Sequence, residues 1–217
     1  AWIKYPFLTY FKNTILVVVA ATMGNVMSSS ITAFGFARIR FPGRDFLFVI
    51  LISTMMLPYQ VKIIPLFQMY KTIGWLNSLW PLIVPAFFAA ASPFFVFLMR
   101  QFFISIPEEL ADAARIDGCG FVNIYLRIFL PLTKPAMVTV ALFSFMDNWN
   151  DFFMPLIYIN SNQFKTLSLG LAGMTGQYVS DWHIIMAASV ITVLPCVIIF
   201  LLAQRHFVEG IALSGIK

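Results

Sequence analysis

The stretch ELADAARIDGCGFVNIYLRIFLP, residues 109–131, is polar at its start and amphipathic at its end, and it lies between two strongly apolar segments. Its first turns carry Glu109 and Asp112, where negative charge favours a helix because it faces the positive end of the helix dipole. Just upstream, Ser105 and Glu108 have the Ser-x-x-Glu spacing of a capping box. The stretch therefore predicts that a helix begins here.

The second half of the stretch predicts a turn and then an amphipathic helix. Gly118 and Gly120 favour the turn, and Pro131 is expected to end the helix. Between them, apolar residues recur at the i, i+3, i+4 and i+7 positions of one helix face: Phe121, Ile124, Tyr125 and Ile128. We expect this face to rest on a membrane domain, while the first helix presents four residues to a partner: Asp112, Ala113, Ala114 and Arg115. An amphipathic loop without a partner is the alternative.

The composition of the whole chain is that of a membrane protein. Of its 217 residues, 60% are hydrophobic and 11% are charged, and the mean hydropathy is +0.87. A soluble protein has about 25% charged residues. The net charge of +5 is therefore interpreted as a topology signal, since no basic run is dense enough to indicate nucleic acid. Cys119 and Cys196 form no CxxC pair, so neither a disulfide framework nor a zinc site is indicated.

Five charge-poor segments approach the length of about 20 helical residues that crosses a bilayer. They lie at about residues 13–37, 44–61, 79–99, 132–157 and 182–204. Pro58 is expected to kink or end the second span. The three prolines of the third span are expected to be tolerated within it. The predicted fold is an all-α, polytopic helical bundle that forms one membrane domain over residues 9–205.

The basic residues predict which loops are cytoplasmic, because cytoplasmic loops collect Lys and Arg. Those that follow the first, third and fifth spans fall on one side: Arg38, Arg40, Arg44, Arg100, Arg115, Arg127, Lys134, Arg205 and Lys217. The loop at 105–131 and the tail at 206–217 are therefore predicted to be cytoplasmic, with the amino end outside. Because the chain begins at Ala1 and has an odd number of spans, a further helix is expected upstream.

The loop resembles the EAA loop of the permease subunits of binding-protein-dependent ABC importers, which reads E-A-A, three residues, Gly, nine residues, I-x-L-P. The matching residues have unbroken spacing, with Asp in place of the first Glu: Asp112, Ala113, Ala114, Gly118, Ile128, Leu130 and Pro131. Further stretches resemble the carbohydrate-uptake, MalG-like subgroup: FARIRFPGRD at 36–45, LMRQFFISIPEELADAARIDG at 98–118, SFMDNWNDFFMPLI at 144–157 and RHFVEGIALSGIK at 205–217.

The resemblance implies the type I ABC importer permease fold and a place in the bacterial inner membrane. It also implies a second homologous permease subunit, two cytoplasmic ATPase subunits and an external solute-binding protein. The chain itself is then not an enzyme and binds no cofactor, while ATP and Mg²⁺ are used by the partner ATPases. In keeping with this, the sequence contains no Walker loop, no Gly-x-Ser-x-Gly and no His-Glu-x-x-His.

The resemblance also assigns roles to residues. The loop at 105–131 is implied to be the coupling helix that sits in a cleft of the ATPase. The residues to which this role is carried over are Asp112, Ala113, Ala114, Arg115, Asp117, Gly118, Ile128, Leu130 and Pro131. The implied function is an ATP-driven importer subunit, for sugars, that forms the translocation pathway with the second permease. By analogy with the family, the external segment at 158–181 is expected to approach the binding protein.

A polar cluster at the end of the fourth span has two interpretations: Asp147, Asn148, Asn150 and Asp151. Carboxylates inside a span would be costly and would indicate a polar pathway, whereas at the outer interface they need only water. Trp149 and Pro155 favour the interface, yet paired amides suit sugar hydroxyls, so Asn148, Asn150 and Asp151 are candidate pathway residues. The alternative function is an ion-coupled secondary transporter that uses Asp147 and Asp151. The sequence does not select a substrate.

Overall fold

The computed structural model describes residues 6–88, 92–174 and 182–214, with side chains up to residue 201 except at residue 184. Regular structure within these ranges is helical throughout. The α-helices are α1 (Phe7–Arg38), α2 (Arg44–Ser53), α3 (Tyr59–Thr72), α4 (Trp80–Ile83), α5 (Pro93–Ser105), α6 (Glu109–Ile116), α7 (Phe121–Ile124), α8 (Leu130–Leu132), α9 (Lys134–Asn150), α10 (Phe153–Tyr158), α11 (Leu167–Ala172) and α12 (Trp182–Ser214). Shorter helical turns are the 3₁₀ turns Thr54–Met56 and Val84–Phe87 and the π-helical turn Tyr125–Phe129.

Helix α1 is the central element, and it packs against α5, α9, α11 and the 3₁₀ turn Val84–Phe87. Its 32 residues are mostly apolar and include no proline, and they correspond to a length of about 48 Å. The helix ends at Arg38, because Ile39 is extended. Small residues on its buried face allow close packing: a Cβ added to Gly24 would lie 2.8 Å from the ring of Phe87.

The described residues contain up to three candidate membrane-crossing segments by length and composition, compared with the five predicted spans. Among the described residues, α1 is the one helix both long and apolar enough to cross a membrane alone. Two further candidates are bent pairs of helices: Arg44–Met56 with Tyr59–Thr72 at 99°, and Phe121–Leu132 with Lys134–Asn150 at 76°. Two further apolar helices, Pro93–Ser105 and Ile185–Leu201, are shorter than a full membrane span. Pro58 lies at the break of the first pair, as predicted.

The predicted third span is not one continuous helix. Its three prolines were expected to lie within one helix. Instead, each lies at the first or second position of a separate piece: Pro81 in α4, Pro85 in the 3₁₀ turn and Pro93 in α5. A proline lacks the N–H that continues a helix, yet its fixed φ suits the first turn. Each proline therefore starts a new helical piece.

The predicted fourth span also contains a break. Helix α9 ends at Asn150, Asp151 is extended with φ −65° and ψ 119°, and α10 begins at Phe153. At the carboxyl end, α12 runs continuously to Ser214, so the predicted tail at 206–217 begins within this helix. Residues 215–217 lie outside the described residues.

The buried side chains form two clusters at opposite ends of α1. One joins α1 to α5 and to the segment after it, with ring centroids 5.0–6.5 Å apart among Phe34, Phe103, Tyr125 and Phe129. The other joins the first turns of α1 to α9, α11 and α12 around Trp149. These clusters fix the two ends of the bundle at which the candidate sites lie.

Candidate functional site

The first candidate site is the segment that links α5 to α9, residues 106–132, here called the coupling segment. The predicted capping box at its start is wrong. Ser105 is the last residue of α5, and its hydroxyl donates to the carbonyl of Phe102 at 2.8 Å. Glu108 occupies the N-cap position of α6 without a side-chain capping bond, and its carboxylate lies 3.6 Å from the guanidinium of Arg40. The serine is unable to cap α6 because it still belongs to the preceding helix.

The predicted turn between α6 and α7 is present. Gly118 has φ +81°, a left-handed conformation that favours glycine. The N–H of Cys119 donates to the carbonyl of Ala114 at 2.8 Å, and the N–H of Gly118 donates to that of Arg115 at 3.0 Å. These bonds close the carboxyl end of α6 and direct the chain into α7.

The second half of the coupling segment packs on the bundle through a face that differs from the predicted stripe. Ile124 is buried and the hydroxyl of Tyr125 lies 2.9 Å from that of Ser30, but Phe121 is 52% exposed. Phe129, which lies outside the predicted stripe, is fully buried at 0% exposure. The reason is the π-helical turn Tyr125–Phe129, which inserts a residue and rotates the face that follows.

Helix α6 presents a different set of residues than expected. Ala114 is 7% exposed and belongs to the buried cluster of the bundle, so it faces this chain and not a partner. Asp112, Ala113 and Arg115 are exposed as predicted, and the Asp112 carboxylate pairs with the Arg115 guanidinium at 2.6 Å. Ala114 lies on the inner face because its position matches that of buried Ala111, three residues earlier in the helix.

The remaining predicted coupling residues are distributed along the segment. Asp117, Gly118 and Pro131 are exposed, whereas Ile128 and Leu130 are half-buried. The sequence did not predict that the segment leaves a set of apolar side chains exposed, of which Ile116 is 88% exposed: Leu110, Ile116, Phe121, Val122 and Leu126. Exposed apolar groups of this kind, mixed with charged residues, are typical of a surface that binds another protein.

The second candidate site is a cavity of about 550 Å³ between α1, α3, α4, α9 and α10, here called the outer cavity. It brings together three residues of the predicted polar cluster, Asp147, Asn148 and Asp151. Asn150 does not line it: its side-chain amide is exposed and donates to the carbonyl of Met146 in its own helix at 2.8 Å. Three of the four residues therefore share one cavity, and the fourth lies outside it.

A network of polar side chains lies along the wall of the outer cavity. The side-chain amide of Asn25 donates to the hydroxyl of Ser144 at 2.9 Å, and its side-chain oxygen Oδ1 accepts the hydroxyl of Ser92 at 3.1 Å. The amide of Asn148 donates to the Ser144 carbonyl at 2.7 Å. Asn25 was not predicted, although an amide in the middle of an apolar span is itself a signal of a functional position.

Tyrosines close another side of the outer cavity. The hydroxyls of Tyr59 and Tyr158 lie 2.8 Å apart, and the rings of Tyr70 and Tyr158 meet edge to face at 5.0 Å. Asp151, at the break between α9 and α10, accepts the N–H of Met154 at 3.2 Å. The lining thus combines hydroxyls, amides, carboxylates and aromatic rings. Among the residues described, no group of three or more His, Cys, Asp or Glu side chains is placed to hold a metal ion.

Comparison with known proteins identifies relatives along almost the whole chain. The family model described as "Binding-protein-dependent transport system inner membrane component" matches residues 24–212. The chain is 35% identical over 209 residues to the arabinooligosaccharides transport system permease protein AraQ of Halalkalibacterium halodurans, covering 96% of this chain and 74% of the relative. It is 35% identical over 208 residues to the sn-glycerol-3-phosphate transport system permease protein UgpE of Salmonella typhi, covering 95% and 73%.

Solved structures share the fold. A chain of a bacterial ABC transporter involved in the import of the acidic polysaccharide alginate superimposes with a TM-score of 0.82 at 24% identity, covering 93% of this chain and 75% of that chain. A chain of the MetNI methionine ABC transporter in an inward-facing conformation superimposes with a TM-score of 0.69 at 15% identity, covering 92% and 93%.

Proposed function

The chain belongs to the family of inner membrane components of binding-protein-dependent transport systems, and from this membership we propose that it is a permease subunit of an ATP-driven carbohydrate importer. Members of this family are membrane-embedded ABC transporter subunits and not enzymes. The proposal adds the class of solute, the partners and the roles of the two candidate sites. Family membership weighs against the ion-coupled alternative based on Asp147 and Asp151.

The observation that carries the proposal is the geometry of the coupling segment. Its second half, Phe121–Leu132, meets α9 at 76°, so it lies across the bundle and not along it. The segment packs on the bundle through Ile124 and Phe129, and its Ile116 side chain is exposed. An element held on one side and apolar on the other suits docking to a second protein, and we assign this role to the ATPase subunit.

The arginines support a cytoplasmic location for the coupling segment. Arg38, at the end of α1, donates to the carbonyls of Phe103 and Ile106, and Arg100 donates to the carbonyl of Phe36 at 3.4 Å. Arg38 of α1 and Arg100 of α5 therefore lie on the same side of the bundle, beside the start of the coupling segment. Cytoplasmic ends of membrane helices collect such residues, so we place this end of the bundle inside the cell.

The outer cavity supports a polyhydroxylated solute. Hydroxyls and amides are donors and acceptors for sugar hydroxyls, and tyrosine rings offer apolar faces beside them. Two relatives are named for the transport of arabinooligosaccharides and of sn-glycerol 3-phosphate, and both of these solutes carry more than one hydroxyl group. We propose that Asn148 and Asp151, together with Asn25, line the solute pathway, and that a second permease subunit and an external solute-binding protein complete the importer.

The test uses the complete transporter in proteoliposomes, with radiolabelled arabinotriose and sn-glycerol 3-phosphate as probes. We expect uptake of one probe to require ATP and the binding protein, and to persist when ion gradients are collapsed. Ile116→Asp should reduce co-purification of the ATPase and uptake together, because it places a charge in the docking surface, whereas the matched variant Ile116→Leu should keep both. Uptake driven by an ion gradient without ATP, or full ATPase binding by Ile116→Asp, would refute the proposal.

A further inference from the structure

One side chain joins three parts of the bundle at the end that carries the coupling segment. Arg38 is the last residue of α1, and its guanidinium donates to the carbonyls of Phe103 and Ile106 at the carboxyl end of α5. A cation there faces the negative end of the helix dipole, and it adds to the bond that the Phe103 carbonyl accepts from the N–H of Ile106 at 3.4 Å. The guanidinium therefore binds the end of α1 to the end of α5.

The same guanidinium contacts the coupling segment. Its central carbon lies 4.7 Å from the ring centroid of Phe129, in the π-helical turn. That ring is fully buried and packs 5.4 Å from Phe34 of α1 and 6.0 Å from Phe103 of α5, measured between centroids. Arg38 thus lies where the coupling segment, α1 and α5 meet.

The charges around Arg38 also belong to the coupling segment. The carboxylate of Glu108 and the guanidinium of Arg115 both interact electrostatically with the guanidinium of Arg38. Glu108 and Arg115 stand at the two ends of α6. A movement of α6 therefore changes both the packing and the electrostatic surroundings of this guanidinium.

We propose that Arg38 is a positioning residue that transmits displacement of the coupling segment to α1 and α5, and so to the outer cavity. Asn25, thirteen residues earlier in α1, lines that cavity about 20 Å away along the helix. A lysine is no substitute, because an ammonium group is a point charge without the planar fork that serves two carbonyls while stacking on a ring. The inference rests on the proposed function, since it needs an ATPase to displace the segment.

Arg40 provides a matched control. It lies two residues further along the chain and carries the same charge, but its side chain is 86% exposed and its described ion pair is with Glu108 at 3.6 Å. Exchange of Arg40 for lysine therefore alters a basic residue at the same end of the bundle without touching α5 or Phe129. If arginines here act only as topology signals, Arg38→Lys and Arg40→Lys should behave alike.

The experiment reports on the outer cavity without needing a transported solute. Met154 lines the cavity, and Met154→Cys is made in a chain whose free cysteines, Cys119 and Cys196, are replaced by alanine. In the assembled transporter, the rate of labelling by a membrane-impermeant maleimide is compared with and without ATP plus vanadate. We expect Arg38→Lys to retain bound ATPase but to shrink the nucleotide-dependent change in rate about tenfold, whereas Arg40→Lys leaves it intact.

The outcomes separate the two proposals. No nucleotide-dependent change in the background chain would refute the proposed function and the inference with it. A normal change in the background and an equal change in both lysine variants would refute the role of Arg38 alone. Phe129→Leu gives a second route, since it removes the ring but leaves the carbonyl bonds. We expect it to reduce the same change, and an unaltered change in Phe129→Leu would overturn the proposal.

Discussion

Gly170 of α11 lies directly against the ring of Tyr10 in α1: a Cβ added to Gly170 would stand 2.2 Å from Cδ2 of that ring. The same region holds further bonds between the first turns of α1 and the segment before α11. The N–H of Leu167 donates to the hydroxyl of Thr14 at 2.7 Å, and the amide of Asn13 donates to the carbonyl of Lys165 at 3.0 Å. This end of α1 is therefore closely fitted to α11.

We predict that Gly170→Ala destabilises the protein by about 1–3 kcal/mol, because the added methyl group overpacks the contact with buried Tyr10. Gly173→Ala is the control, since its nearest atoms would be at 3.5 Å, an ordinary contact. Thermal unfolding of the purified chain in detergent measures both. Similar melting temperatures for the two variants would contradict this prediction, because they would show that α11 can move away from Tyr10 without loss of stability.

We predict that Gly118→Ala weakens binding of the ATPase. No atom would obstruct the new Cβ, but φ at this position is +81°, and a left-handed conformation costs an alanine about 1–2 kcal/mol. The turn would relax and displace α6. Gly120→Ala is the matched control, because Gly120 has φ −75° and also has open space around it. Co-purification of the ATPase with each variant is the measurement, and equal yields would contradict the argument.

We predict that Asn25→Ala lowers both stability and uptake. The variant leaves the hydroxyls of Ser144 and Ser92 without their bonds to Asn25, and a polar bond between membrane helices is worth about 0.6–2 kcal/mol. Asn150→Ala, in contrast, removes an exposed side chain that bonds only within its helix, and is expected to change stability by less than about 0.5 kcal/mol. Melting temperature and initial uptake rate report the difference. The prediction fails if the two variants match.

We predict that Asn77 holds two loops together at the end of the bundle opposite the coupling segment. Its side-chain oxygen accepts the N–H groups of Asn160 and Ser161, at 3.2 and 2.8 Å, and its own N–H donates to the carbonyl of Tyr158. Asn77→Gly keeps the left-handed backbone, with φ 58° in the native chain, but removes the acceptor, whereas Asn77→Asp keeps both.

Hydrogen exchange at Asn160 and Ser161 tests this role. Loss of the acceptor should speed exchange of the two amides about tenfold in Asn77→Gly. The reason is that local opening then no longer has to break the two bonds to Asn77, so it costs less free energy. Exchange in Asn77→Asp should stay close to that of the native chain. Unchanged protection in Asn77→Gly would mean that other contacts close these loops.

Sequence reasoning succeeded where local chemistry decides the structure. The turn at Gly118 and the break at Pro58 were predicted because glycine tolerates a left-handed backbone, whereas proline fixes φ and lacks the N–H that continues a helix. It failed where tertiary packing decides. The burial of Ala114 depends on which face of α6 meets the bundle, and the burial of Phe129 depends on a π-helical turn that has no signature in residue types.

The candidate site was predictable to a similar extent. Asp147, Asn148 and Asp151 were recognised because polar residues are rare beside apolar spans, and the outer cavity includes them. Arg38 was interpreted only as a topology signal. Its contacts with α5 and Phe129 join positions more than sixty residues apart, and no local pattern encodes such a meeting.

The bend between the coupling segment and α9 has a mechanical consequence. Thr133 at the corner is fully buried, and its hydroxyl bonds to the carbonyl of Phe129 at 3.0 Å, so the two arms meet without a flexible linker. The arm formed by Phe121–Leu132 is about 18 Å long, and the arm formed by Lys134–Asn150 is about 26 Å long. A rotation of about 10° around this corner would therefore shift the distant tip of α9 by about 4.5 Å. Because the α9 arm is about 1.4 times as long as the arm of the coupling segment, a displacement at the tip of the coupling segment produces a displacement about 1.4 times as large at the tip of α9.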